Sequence, residues 1–465
     1  MRRNVGGSPR QSKDPSGWPT RQKHKRRTRA RPETEPEPVD MRLLQNPPSR
    51  AVVPYTPKTE LEDSDLRFLI YHCKYHPTNE SLVHRADESD VTVISKETVT
   101  NVGPRFEWFP LAVRDEAFFH ALISSTSSHA AYLQQVELPP SFFFHRGTAI
   151  QLLNERIARG AHDEGTINTV AVFCQQESFE GRAEKALTHI NGLLQIVSAA
   201  GGPHSQELSP HTRRHVYLTD LAASIALMSK PLLRPALDVT DPEKYFRKPS
   251  AITASHAKTF GVRLYNFSNS TLSDHAATVL WGLRNVSEIL QTIRNGTERL
   301  DTPLATDIQF TDRVEVLERL IHPLWYVDDP VAPQHPIFRT FGWACCIYIY
   351  TTLRELPKEL GMNAMLANRI KVALELCPDL NVLLATFQDL LLWQMFVCGR
   401  VADFRDRPFF AQQATKILMI RKIEDPDEIM ATAMSFLWPE RQVDDGEAQY
   451  GEGSTPTKPG NERRD

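Results

Sequence analysis

Long apolar runs are missing from this 465-residue chain. The longest unbroken one, Trp343 to Tyr350, is far short of the roughly 18–20 residues that a membrane-spanning helix needs. The richer stretch from Asn381 to Val397 is interrupted by Gln388, Asp389 and Gln394, so it predicts a buried helix. No apolar segment follows the N-terminal charges, so the expectation is no secretory signal and an intracellular protein with no membrane partner. Glycine is scarce, at 21 residues, and leaves few places for backbone to approach a phosphate closely. There is no phosphate loop, no Gly-x-Gly-x-x-Gly after a strand and no Gly-x-Ser-x-Gly elbow.

Cysteine is scarce too, and its spacing is wrong for a metal. The six lie at Cys73, Cys174, Cys345, Cys346, Cys377 and Cys398. No pair has the gap of two to four residues that lets one turn present two thiolates to zinc. They read as packed, reduced thiols. His72 and His76 are four apart but lack the intervening Glu of the metalloprotease pattern, so they read as solvent-facing. Asp328-Asp329 runs straight into Pro330 with no third acid in register, and Asp444-Asp445 falls in a polar tail. The expectation is no metal, no cofactor and no catalytic residue. An all-helical enzyme with a central cavity, of the terpene-cyclase kind, stays as the alternative and would need carboxylates converging inside a helical bundle.

What is present is an ordinary globular composition, 41% hydrophobic and 24% charged, with a strongly uneven charge. Residues 1–31 hold eleven Lys or Arg against Asp14 alone, a charge of +10, which leaves −13 on residues 32–465 of a net −3. Seven of these cations are Arg21, Lys23, Lys25, Arg26, Arg27, Arg29 and Arg31. Like charges with nothing apolar to bury cannot fold on themselves. The run reads as a candidate nuclear-localisation signal; a non-specific nucleic-acid arm and a plain solvated terminus are the other readings.

Prolines at 36, 38, 47, 48, 54 and 57 extend this character, so residues 1–60 read as a disordered basic, Pro-rich leader. Helical periodicity begins at Ser64 with Leu66, Leu69, Ile70 and Cys73, and residues 77–103 read as loop, with an extended piece at 91–94. From Asp115 onward apolar residues return every three or four positions. The expected helices open at Asp115 (Phe118, Leu122 and Phe119, Ile123), run from about His145 to Ala158 (Ile150, Leu153, Ile157) and start again at Thr166 (Ile167, Val170, Ala171, Cys174). The next carries Ala183, Ala186, Leu187, Ile190, Leu193, Leu194 and Val197 and stops at Gly201-Gly202-Pro203. Further helices are expected near 215–228, from Leu272 to Ile293, and at about 311–321, 337–355, 363–376, 380–398, 408–421 and 426–437. A connection spans 231–273. Alternation typical of strands is scarce, so residues 61–440 read as one all-α body and 441–465 as a disordered polar tail. Each amphipathic stripe must be buried against another helix.

Three stretches carry a resemblance. They are Asp115-Glu-Ala-Phe-Phe-His-Ala-Leu, Phe144-His-Arg-Gly-Thr-Ala-Ile-Gln-Leu-Leu-Asn, and Glu180-Gly-Arg-Ala-Glu-Lys-Ala-Leu-Thr-His-Ile-Asn-Gly-Leu-Leu-Gln-Ile-Val with Gly201-Gly202. Together with Leu390-Leu-Leu-Trp-Gln-Met-Phe-Val-Cys-Gly, Arg407-Pro-Phe-Phe and Phe436-Leu-Trp-Pro-Glu, they resemble the regulatory domain of fungal-specific transcription factors over about 115–440. The resemblance implies a multi-helix array acting in the nucleus through protein partners of the transcription machinery, as a homo- or heterodimer and with a small effector. Such domains usually follow a binuclear zinc cluster of six closely spaced cysteines. Residues 1–72 contain none, so the expectation is a regulator without its own zinc-cluster module, touching nucleic acid at most non-specifically through the basic leader.

Overall fold

The computed structural model describes residues 111–235, 237–248, 251–267, 270–294, 310–326 and 335–437. Among these there are fourteen α-helices and no strand. The helical run expected from Ser64 to Cys73, the extended piece at 91–94, His72, His76, Asp328, Asp329, Asp444, Asp445 and the cations from Arg21 to Arg31 lie outside the described residues.

Five helices build the first core: α1 (Glu116–Gln134), α2 (Pro140–Ala158), α3 (Glu164–Phe179), α4 (Ala183–Ala199) and α5 (Pro210–Leu227). Their ends are set locally. Asp115, Asp163 and Ser209 each cap a helix by accepting the backbone N–H three residues on, at 2.9, 2.8 and 3.2 Å. Pro140 and Pro210 occupy first helical positions, where a missing N–H costs nothing. This moves the start of α2 from the expected His145 back to Pro140. Beyond α4, the Gly202 N–H reaches back to the Val197 carbonyl at 2.9 Å, and φ of +90° and +92° at Gly201 and Gly202 ends the helix as the sequence suggested. Phe118, Leu122, Ile167, Val170, Cys174, Ile190, Leu193, Val197 and Leu221 fill this core.

One stripe is turned from its expected register, and a second keeps its register but loses one residue to solvent. On α2 only Leu153 points inward; Ile150 and Ile157 are exposed, and the buried line is Ser141, His145, Ala149 and Leu153. Small and polar side chains let α1 pack closely there, whereas Ile150 and Ile157 lie on the far side of the wheel. On α4, Ile190, Leu193 and Val197 are buried, Leu194 is half-buried and Leu187 is exposed.

The second core is built by α6 (Ala251–Leu264), α7 (Ser270–Arg294), α8 (Phe310–Ile321), α9 (Pro336–Tyr348), α10 (Gly361–Glu375), α11 (Leu380–Thr386), α12 (Gln388–Val401), α13 (Arg407–Arg421) and α14 (Pro426–Leu437). Three expectations change here. The connection 231–273 contains α6 and a 3₁₀ turn, Pro242–Lys244, because Ala257, Phe260 and Leu264 find a buried face against α7 and α9. The helix expected over 380–398 is two helices bent by 107° at Phe387, whose fully buried ring packs on Phe260 and Phe267. The helix expected to run to 355 ends in a π segment, Ile349–Leu353. No single described helix is long and apolar enough to cross a membrane; α11 and α12 pass on length and composition only as a bent pair.

The two cores meet along a seam of specific contacts. Arg214 of α5 bonds Thr311 at 2.9 Å and also Asp312; Ser224 bonds His322 at 2.7 Å; the Phe179 ring sits 5.7 Å from that of Tyr350. Gly361, the first residue of α10, abuts the turn between α3 and α4 so tightly that a Cβ there would lie 2.3 Å from the Glu180 carbonyl oxygen. Only glycine fits.

Candidate functional site

At one end of this seam lies a cleft of about 390 Å³. Helix α1 contributes Ser128 and Tyr132, α2 contributes Phe142, Phe143 and Arg146, α3 contributes Glu177 and Phe179, and Lys185 stands in the first turn of α4. Leu356, Pro357 and Leu360, just before α10, close the side that belongs to the second core. The cleft thus takes its walls from both cores.

Glu177 organises the charges. It follows Val170 by seven residues on the same face of α3, so it is delivered into the interior, where it is 1% exposed. A buried carboxylate needs partners. Arg146 donates to it at 2.6 Å while also holding Gln176, and Arg182 donates to its other oxygen. Burial alone would raise the Glu177 carboxyl, but the Arg182 hydrogen bond and the charges of Arg182, Arg146 and Lys185 outweigh it and hold the group below the usual carboxylate range. The Arg146 guanidinium also lies over the rings of Phe173 and Phe142, at 5.1 and 5.9 Å. Glu180 accepts the Tyr132 hydroxyl, and burial followed by that carboxylate pushes the phenol upward.

Other charges inside the body are likewise committed. Glu318 receives two bonds from Arg354, at 2.7 and 2.6 Å, and Glu315 pairs with Arg319 at 3.2 Å. Asp220 accepts the backbone N–H groups of Leu232 and Leu233 at 2.9 and 2.8 Å. Burial raises the Asp220 carboxyl, and those two bonds oppose it. Among the described residues no group of three or more His, Cys, Asp or Glu converges on a common point. The five described cysteines are all buried thiols. A second cleft, of about 600 Å³, lies between the 242–248 segment, α6 and α7.

The residues singled out in the sequence for a site, Arg21, Lys23, Lys25, Arg26, Arg27, Arg29 and Arg31, lie outside the described residues. The cleft residues were not singled out, although Arg146, Glu180, Arg182 and Lys185 fall inside the stretches that carry the family resemblance. One signal was available: a glutamate in phase with the apolar stripe of α3 must find cations from another helix.

Helices packed around two hydrophobic cores, without strands among the described residues, place the protein in the all-α class. Residues 105–447 match the family model of the fungal specific transcription factor domain, and the chain belongs to that family. The family is regulatory, and its role is transcription regulation. No curated protein and no solved structure matches the chain.

Proposed function

We propose that this chain is a nuclear transcription regulator that works through protein partners and senses a small effector in the cleft between its two cores. The family match over 105–447 carries the regulatory part of this reading. The cleft supports the effector part, because its volume falls in the range of small-ligand sites and its walls come from both cores, so an occupant would bias how they pack. The role is regulatory rather than catalytic: Glu177 and Glu318 are each matched to arginine, which suits a scaffold better than proton transfer. The seven cations from Arg21 to Arg31 support nuclear import and only non-specific contact with nucleic acid, since phosphate contacts neutralise charge without reading base edges.

The experiment has two arms. The full chain, fused to a heterologous DNA-binding domain, should change output from a reporter bearing that domain's site. The tagged chain should concentrate in the nucleus and lose that localisation when Lys25, Arg26, Arg27 and Arg29 become Ala. A fusion with no effect on the reporter would overturn the partner-mediated role, and unchanged accumulation of the tagged variant would remove the import function of the run.

A further inference from the structure

Charge and shape in the cleft can be read further. Three cations line it, Arg146, Arg182 and Lys185, against two acids, Glu177 and Glu180. Glu177 is taken by both arginines, and Glu180 accepts the Tyr132 hydroxyl. Lys185 is exposed and makes no hydrogen bond or ion pair among the described residues. By formal charge the lining therefore carries one cation in excess, and Lys185 is the exposed, unbridged one. The lining also has an apolar part: Phe142 and Phe143 from α2, with Leu356, Pro357 and Leu360 from just before α10. Phe143, in that lining, is 60% exposed, a large apolar surface left to water.

We propose that the cleft binds an amphipathic organic anion, with its acidic head on Lys185 and its apolar body between Phe142, Phe143 and Leu360. The proposal rests on the effector reading above and names the class of effector. A neutral ligand would gain the apolar wall but leave Lys185 to water. A cationic one would meet two arginines and a lysine. An anion pairs with the one cleft-lining Lys or Arg that forms no ion pair with a carboxylate, and such charge-assisted contacts are stronger than neutral ones. The cleft lies at the low end of the volume range for small-ligand sites, which fits a single chain or a fused pair of rings rather than a peptide.

The test uses the full chain and two fluorescent probes of one shape, the anionic 1-anilinonaphthalene-8-sulfonate and the neutral N-phenyl-1-naphthylamine. Decanoate, decanol and decyltrimethylammonium serve as competitors. The sulfonate should bind saturably at one site per chain, more tightly than its neutral counterpart, and be displaced best by decanoate and worst by the cation. Lys185→Glu, a surface change, should weaken the sulfonate and decanoate roughly tenfold or more, as expected for losing one charge-assisted contact, while sparing the neutral probe. Ser128→Trp, which fills the cleft, should abolish site binding of both probes in a variant that still melts cooperatively. If both probes bind and respond to Ser128→Trp but ignore Lys185→Glu, the anion class fails and an effector cleft stands. If neither probe binds the wild-type chain, or binding survives both substitutions, the cleft is no effector site and both readings fall.

Discussion

Ile190 and Leu187 lie three residues apart on α4, carry side chains of the same size and end in opposite surroundings. Ile190 is fully buried against the first core, whereas Leu187 is 46% exposed. An aspartate at 190 would have to leave water with no cation waiting for it, which costs several kcal/mol. That is comparable to the ~5–15 kcal/mol by which a domain is stable. Ile190→Asp should therefore aggregate or lose its cooperative urea transition, while Leu187→Asp should stay within about 0.5 kcal/mol of wild type. Equal behaviour of the two variants in urea unfolding and gel filtration would show that the buried face of α4 has been misassigned. Glu177 shows what a charge needs in order to survive at such depth: two arginines, from two different elements, already in place.

At the scale of elements, α8 poses a problem that periodicity cannot solve. Its apolar side, Val314, Leu317 and Ile321, is buried, but so are Arg313, Glu315, Glu318 and Arg319 on its polar side. Partners come from elsewhere. Arg319 lies over the Tyr217 ring of α5 at 5.6 Å, and Arg354 reaches Glu318 because the π segment swings it inward, its own N–H bonded to the Ile349 carbonyl at 2.8 Å. Burial pulls the Arg354 guanidinium down and Glu318 more than restores it, so the guanidinium stays charged. Breaking such a pair is worse than replacing it. Arg354→Met should cost about 3–5 kcal/mol by leaving Glu318 uncompensated. Adding Glu318→Leu should recover most of that loss. A double variant as unstable as the single one, measured by denaturant midpoint at constant slope, would mean that the damage comes from packing around the π segment.

For the whole molecule, acid is the informative variable. His215, bonded to Asn168 at 2.8 Å, is lowered by burial to about 3, and His322 is lowered by burial to about 4. Burial also lowers His120 and His145, whose Nδ1 atoms are 2.7 Å apart. Unfolded histidine titrates near 6.5, so between that pH and about 4 the unfolded chain binds protons that the folded chain refuses. Stability is thus full above about pH 6.5 and falls as pH drops through the window. His215 and His322 alone should remove roughly 4 kcal/mol between pH 7 and 5, at up to ~1.4 kcal/mol per pH unit each. Asp220 and Glu315, both raised by burial, work the other way and soften the slope. The urea midpoint should fall clearly from pH 7 to 5; a flat profile would mean that these histidines are hydrated in solution.

The sequence by itself determined the all-α class, most of the helix limits after residue 115 and the family. These depend on interactions three or four residues apart: a cap at Asp115, a stop at Gly201-Gly202, and apolar returns along α3 and α4. Tertiary structure decided what local spacing leaves open. It chose Ile190 over Leu187 for the interior, bent 380–401 at Phe387, and turned the end of α9 into a π segment so that Arg354 could neutralise Glu318. It alone made the cleft, which gathers Ser128, Arg146, Glu177, Lys185 and Pro357 from five separate parts of the chain. No residue's neighbours in sequence predict that meeting, because it exists only where two independently packed cores are pressed together at Gly361 and a gap is left beside the contact.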